Sequence, residues 1–190
     1  MIRLFAETWL GLKATLNVFS LREGWENQLN VSATGFVRSF GAALISLPLL
    51  VFIIFGFERF YVEAITDYES TLTLSQIALQ FVQTWLVFPV IAYILTRLTG
   101  TGPRFVPWVV LHNWSVVFLL LLLGFLISLY LAGLSSIAST GFSIAFIYEG
   151  IRYYLYFRVA QVTLGLPLLW TIPMAAIPIV ANRALAMLIY

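Results

Sequence analysis

The stretch VVFLLLLLGFLISLYL, residues 116–131, is apolar on every face of a helix, so no side of it calls for water. It completes an apolar run from Val109 to Leu131, and a bilayer crossing takes about 20 such residues. The rest of the chain shares this character. Of 190 residues, 62% are apolar and 9% charged, with a mean hydropathy of +0.99. A soluble domain carries roughly 25% charged residues, and this chain has too few to cover a water-facing surface. Lipid must take the remaining area, and the length leaves no room for a separate soluble catalytic domain.

Four further runs lie on either side. Phe40–Phe57 is uncharged between Arg38 and Glu58 and reads as the first span. Ile77–Thr96 is the second; Gln80, Gln83 and Thr84 make its early turns polar, and Pro89 predicts a kink. After the third span at 109–131, residues 134–163 read as one long span. Its small residues come first, in LSSIASTGFSIAF, followed by YEGIRYYLYFR with Glu149, Arg152 and Arg158. Leu164-Gly165-Leu166-Pro167 marks a turn, and residues 168–188 form the last span, bent at Pro173 and Pro178. The expected fold is an all-α integral membrane protein with five transmembrane helices after an amphipathic interfacial helix. Residues 1–33 make the N-terminal helix and loop, and residues 34–190 the membrane domain.

Orientation follows from the basic residues. With the N-terminus cytoplasmic, that side receives Arg3, Lys13, Arg22, Arg38, Arg97, Arg104, Arg152 and Arg158, leaving Arg59 and Arg183 opposite. The loop after the first span carries Glu58, Glu63, Asp67 and Glu69. The positive-inside rule therefore predicts a cytoplasmic N-terminus and a periplasmic or exoplasmic C-terminus. The preference for Arg over Lys suits a bacterial inner membrane. Without a Lys/Arg run, no nucleic-acid surface is expected.

Residues 2–19 have helical periodicity: Ile2, Phe5, Trp9, Leu12, Leu16 and Phe19 recur every three or four positions, while Arg3, Glu7, Lys13 and Asn17 lie off the stripe. This pattern fits a helix lying in the cytoplasmic membrane interface or docking on a partner, the alternative being a helix packed against the bundle's own loops. Glu7 and the lack of a small-residue cleavage site argue against a secretory signal peptide.

Ionisable residues inside a bilayer are expensive, which draws attention to His112, Glu149, Arg152 and Arg183. Glu149 and Arg152, three apart, can form a buried ion pair close to the cytoplasmic interface. His112 and Asn113 suit interhelical hydrogen bonding near the cytoplasmic face. A lone His in a chain without Cys does not make a typical zinc site, so neither metal nor cofactor is expected. Ser143 and His112 belong to different depths, so no protease dyad is expected. There is no HExxH, P-loop or GxGxxG motif. The sequons at Asn30 and Asn113 fall on the cytoplasmic side or within a span.

The N-terminal amphipathic stretch, TGFVRSFGAALISLPLLVF at 34–52, HNWSVVF at 112–118 and IRYYLYFRVAQVTLGLPLLW at 151–170 together resemble the Yip-domain family of small multispan membrane proteins, in particular its short bacterial members. The resemblance implies five spans with a cytoplasmic N-terminus and no catalytic residue. The chain lacks the long N-terminal extension of the eukaryotic members, so their Rab GTPase partners are not expected here. The functional expectation is a non-enzymatic accessory, assembly or membrane-organising factor. It would act through lipid and helix contacts, with a membrane-protein partner or as a homo-oligomer. The alternative is a small oligomeric transporter or channel subunit.

Overall fold

Eight α-helices follow one another in the computed structural model, which describes residues 2–69 and 73–189: α1 (Ile2–Phe19), α2 (Ala33–Ser39), α3 (Gly41–Ala64), α4 (Leu74–Leu98), α5 (Phe105–Leu131), α6 (Ile137–Phe142), α7 (Glu149–Leu164) and α8 (Leu168–Ile189). No strand occurs among the described residues. Local chemistry sets several of the boundaries. At the start of α4 the Thr73 hydroxyl accepts from the Gln76 amide at 3.3 Å, and the Gln76 side chain accepts from Thr73 N–H at 2.8 Å. At the end of α7, Gly165 takes a φ of +64°, a left-handed conformation that stops the helix without a Cβ penalty.

Four segments are long and apolar enough to cross a membrane: Ala33–Ala64, Leu74–Leu98, Gly102–Leu131 and Leu168–Met187. The expected span at 134–163 is not among them. Its helix starts only at Ile137 and passes through a π-helical turn, Ser143–Tyr148, before resuming as α7. Glu149, Arg152 and Arg158 then lower its hydropathy. The helices also outrun the expected limits: α3 continues past Phe57 through Glu58 to Ala64, and α2 occupies what the sequence suggests is the end of a loop.

The fully apolar segment is the centre of the bundle. Trp108, Leu111, His112, Asn113, Trp114 and Ser115 are all buried, and only farther along do Leu121 and Phe125 open outward. A helix apolar all round buries itself on several sides, and α5 packs against α3, α1, α7, α2 and α4. Helices α3 and α5 run side by side in the same direction, with α4 and α7 antiparallel to them. The basic end of the bundle holds Arg97, Arg104 and the Gly165 turn. The acidic end holds Glu58, Glu63, Asp67 and Glu69.

Close approach of α3 and α5 depends on missing side chains. A Cβ at Gly56 would overlap Cγ2 of the buried Ile127, and one at Gly124 would come within 2.6 Å of Leu49 Cδ1. Ile127 is branched at Cβ and has little freedom to yield. Gly56→Ala should therefore destabilise the bundle by about 1–3 kcal/mol, the usual cost of overpacking. Denaturant unfolding in detergent should show Ile127→Ala recovering part of that loss in the double variant; additive losses would contradict this contact.

Candidate functional site

Two arginines and a carboxylate stand together inside the bundle. Arg152 Nη2 lies 2.6 Å from Glu149 Oε2, and Arg183 Nη2 lies 2.7 Å from Glu149 Oε1. The Arg152 contact is an ion pair rather than an aligned hydrogen bond, whereas Arg183 donates to Glu149 in good geometry. The Glu149 and Arg152 side chains are 17% and 16% exposed, against 57% for Arg183. The sequence expectation places the Glu149–Arg152 pair near the cytoplasmic interface, and the structure places it elsewhere. Glu149 opens α7 about 22 Å from Leu164 at the basic end, and the partner it gains, Arg183, lies near the far end of α8.

The π turn sets which way this face points. A π turn carries an extra residue, which rotates the succeeding helix by about 100° relative to an uninterrupted α-helix. Tyr148 at its end and Glu149, Arg152 and Tyr156 of α7 line a cavity of about 720 Å³. Leucine and isoleucine side chains of α3 and α5 form its apolar wall, among them Leu50, Ile53, Leu119 and Leu123. Gln80, Gln83 and Thr84 of α4, with Asn182 of α8, give it a polar side.

Much of that polar side is unmatched by protein. Gln83 is 4% exposed; its Nε2 donates to the Asn182 backbone oxygen at 2.8 Å, but its Oε1 meets no protein donor. Asn182 Oδ1, Glu58 Oε1 and Arg152 Nε are likewise buried without a protein hydrogen bond. Towards the acidic end, Tyr68 donates to Glu58 Oε2 at 3.1 Å. Loss of solvent, and then this bond, push the Tyr68 phenol above its usual range.

The remaining expected site residues lie elsewhere. His112 is sandwiched flat on Phe88, with ring centroids 3.3 Å apart, and meets the edge of Tyr156 at 4.8 Å. Asn113 donates to Ser39 Oγ at 2.9 Å, and Ser39 donates to the Phe36 carbonyl oxygen at 2.7 Å. These contacts join α5 to its neighbours in the basic half. Only Tyr156, which also lines the cavity, links His112 to the charged group. Among the described residues no hydrogen bond joins Ser143 to His112, and no three His, Asp or Glu side chains gather as for a metal.

The N-terminal stripe divides. The face α1 buries is Gly11, Ala14, Thr15 and Val18, not the large apolar residues. Gly11 lies so close to the Trp114 ring that a Cβ there would overlap it. Phe5 and Trp9 remain 68% and 69% exposed, and Leu16 is exposed too. Leu12 is partly buried, and Phe19 packs on Phe118 and Tyr154. Ile2 lies in the helix, but its side chain falls outside the described residues. Helix α7 holds the end of α1: Tyr154 and Arg158 donate to the Phe19 and Val18 carbonyls at 3.0 and 3.4 Å. Glu7 pairs with Arg38 of α2 at 3.4 Å.

The relative depth of the three charges predicts unequal costs. Arg152→Gln should leave the Glu149 carboxylate with the half-exposed Arg183 as its one remaining cation and cost about 1–3 kcal/mol, whereas water can replace much of the exposed Arg183. Denaturant unfolding should therefore rank Arg152→Gln above Arg183→Gln, with Glu149→Gln/Arg152→Gln milder than Arg152→Gln alone. The reverse ranking would contradict this geometry. Comparison of the chain with protein-family models, curated proteins and solved structures finds no match.

Proposed function

We propose that the chain is a non-enzymatic integral membrane protein that acts as an accessory or membrane-organising factor, with α1 lying in the cytoplasmic interface. The observation that carries this reading is the division of α1 into two working faces. Small residues bind it to α5, while Phe5, Trp9 and Leu16 stay outward in a single stripe. In water such a stripe would be costly; at a bilayer surface it is an anchor. The tie to Arg38 and the α7 contacts at Val18 and Phe19 would pass any movement of this anchor to the bundle.

In this proposal five segments cross the membrane, the fifth being the continuous helical stretch from Ile137 through Leu164. At about 1.5 Å per residue it is long enough; Glu149 and Arg152 turn towards the cavity, and Arg158 towards the end of α1, rather than lipid. The basic end faces the cytoplasm and the acidic end the periplasm or exterior, by the distribution of Arg and Lys. A bacterial inner membrane is the proposed location. The same order of elements is what membership of the Yip-domain family would imply, and we extend the proposal to that family's short bacterial members.

The polar cavity favours a second reading, a small transporter or channel subunit that assembles as an oligomer. Solute flux in proteoliposomes would support that reading. The first is tested on α1: Phe5→Glu and Trp9→Glu put charge in the exposed stripe and leave its bundle-facing residues untouched. In vesicles with the basic end accessible, both variants should be cleaved after Lys13 and Arg22 several times faster than the parent chain, with the bundle still folded. Unchanged cleavage would show that α1 is held by the bundle alone.

A further inference from the structure

We infer that the cavity receives a zwitterionic group, its anion against Arg152 and Arg183 and its primary ammonium against Glu58, Gln83 and Asn182. One carboxylate, Glu149, faces two guanidinium groups in the cavity lining, the mostly buried Arg152 and the 57% exposed Arg183, so an incoming anion can replace water at Arg183 and meet both arginines. Arg152 Nε also lacks an acceptor.

An anion alone would answer only half of the cavity. Three buried acceptors, Glu58 Oε1, Gln83 Oε1 and Asn182 Oδ1, meet no protein donor, and Glu58 adds negative charge to the lining. Gln83 is bonded to the Asn182 backbone and Asn182 precedes Arg183, so unpaired acceptors and cation line the same cavity. With Glu58 included, the four charged groups of the cavity sum to zero. A ligand with one anionic group and one ammonium matches that sum and supplies N–H donors for the acceptors. The leucine and isoleucine wall accommodates an apolar tail.

A lipid headgroup and a water-borne metabolite can both carry this chemistry, and the test separates them. The full chain is placed in phosphatidylcholine nanodiscs, whose headgroup has no N–H donor, and titrated calorimetrically with dihexanoyl phosphatidylethanolamine and with glycerophosphoethanolamine, a water-soluble phosphodiester of the same net charge. Saturable binding of one molecule per chain is expected for at least one. Binding of the lipid alone assigns the site to a headgroup, and equal binding of both assigns it to a soluble zwitterion. Arg183→Gln and Glu58→Gln should each weaken binding about tenfold, the loss of one charge-assisted contact.

Arg183 is largely exposed and Glu58→Gln keeps the size and shape of the side chain, so both variants should fold; the helical circular dichroism of the nanodiscs checks this. Unchanged affinity in both folded variants, equally tight binding of dihexanoyl phosphatidylglycerol, or no binding of either probe would overturn the inference. The inference rests on the cavity being a ligand site, as in the second functional reading, but not on transport. Flux without zwitterion binding would overturn the inference alone, and binding without flux would leave it standing while removing the transporter.

Discussion

A carboxylate held between two guanidinium groups is the most demanding interaction in this chain, because two of the three charges, Glu149 and Arg152, give up several kcal/mol of hydration each to enter an apolar bundle. The arrangement around it follows from that demand. Glu149 and Arg152 come from one helix and Arg183 from the next, so α7 and α8 must pack antiparallel and in register for the group to close. The π turn before Glu149 sets the angle of that face, and Gln83 binding the Asn182 backbone fixes α4 against α8 at the same place. The charged group thereby positions three of the helices that surround the cavity.

Helix α5 supplies the opposite constraint. It carries no ionisable group other than His112 and Tyr130, and its first half is buried on all sides, so it acts as an apolar post on which the others are hung. Small residues decide how near they come: Gly56 lets α3 close on Ile127, and Gly11 lets α1 close on Trp114. The cavity exists where this packing stops, between the α5 wall and the polar faces of α4, α7 and α8.

Apolar helices were legible in the sequence because uncharged length alone predicts them, and α4, α5 and α8 lie within a few residues of the expected segments. The ion pair was legible from the spacing of Glu149 and Arg152. Arg183 stood out in the sequence as an ionisable residue in a span, yet nothing local connects it to a residue 34 positions away. Gln80, Gln83 and Thr84 were visible only as a polar start to a span, since their meaning depends on what packs opposite. The face by which α1 meets the bundle was not legible. Periodicity finds the stripe of large apolar residues, but the contact surface chosen by the bundle is the one with Gly11 and Ala14, where backbones approach closely. Hydrophobic periodicity scores bulk, and close packing selects small size. The break within 134–163 escaped for a related reason: a π turn has no composition of its own.

Central to this molecule is a cavity inside an apolar bundle, lined by Glu58, Tyr68 and Gln80 towards the acidic end, from which water is expected to enter. The absence of cysteine makes the chain suited to single-site labelling. Gln80 lines the cavity six residues into α4, and Phe125 is exposed on α5 outside the cavity lining, nearer the acidic end than Gln80. In sealed, oriented vesicles, Gln80→Cys should react with a membrane-impermeant maleimide added on the side of the acidic loop, and Phe125→Cys should not. Equal protection of both positions would show that the cavity is closed to water, and equal reaction would show that the bundle does not sit in a bilayer.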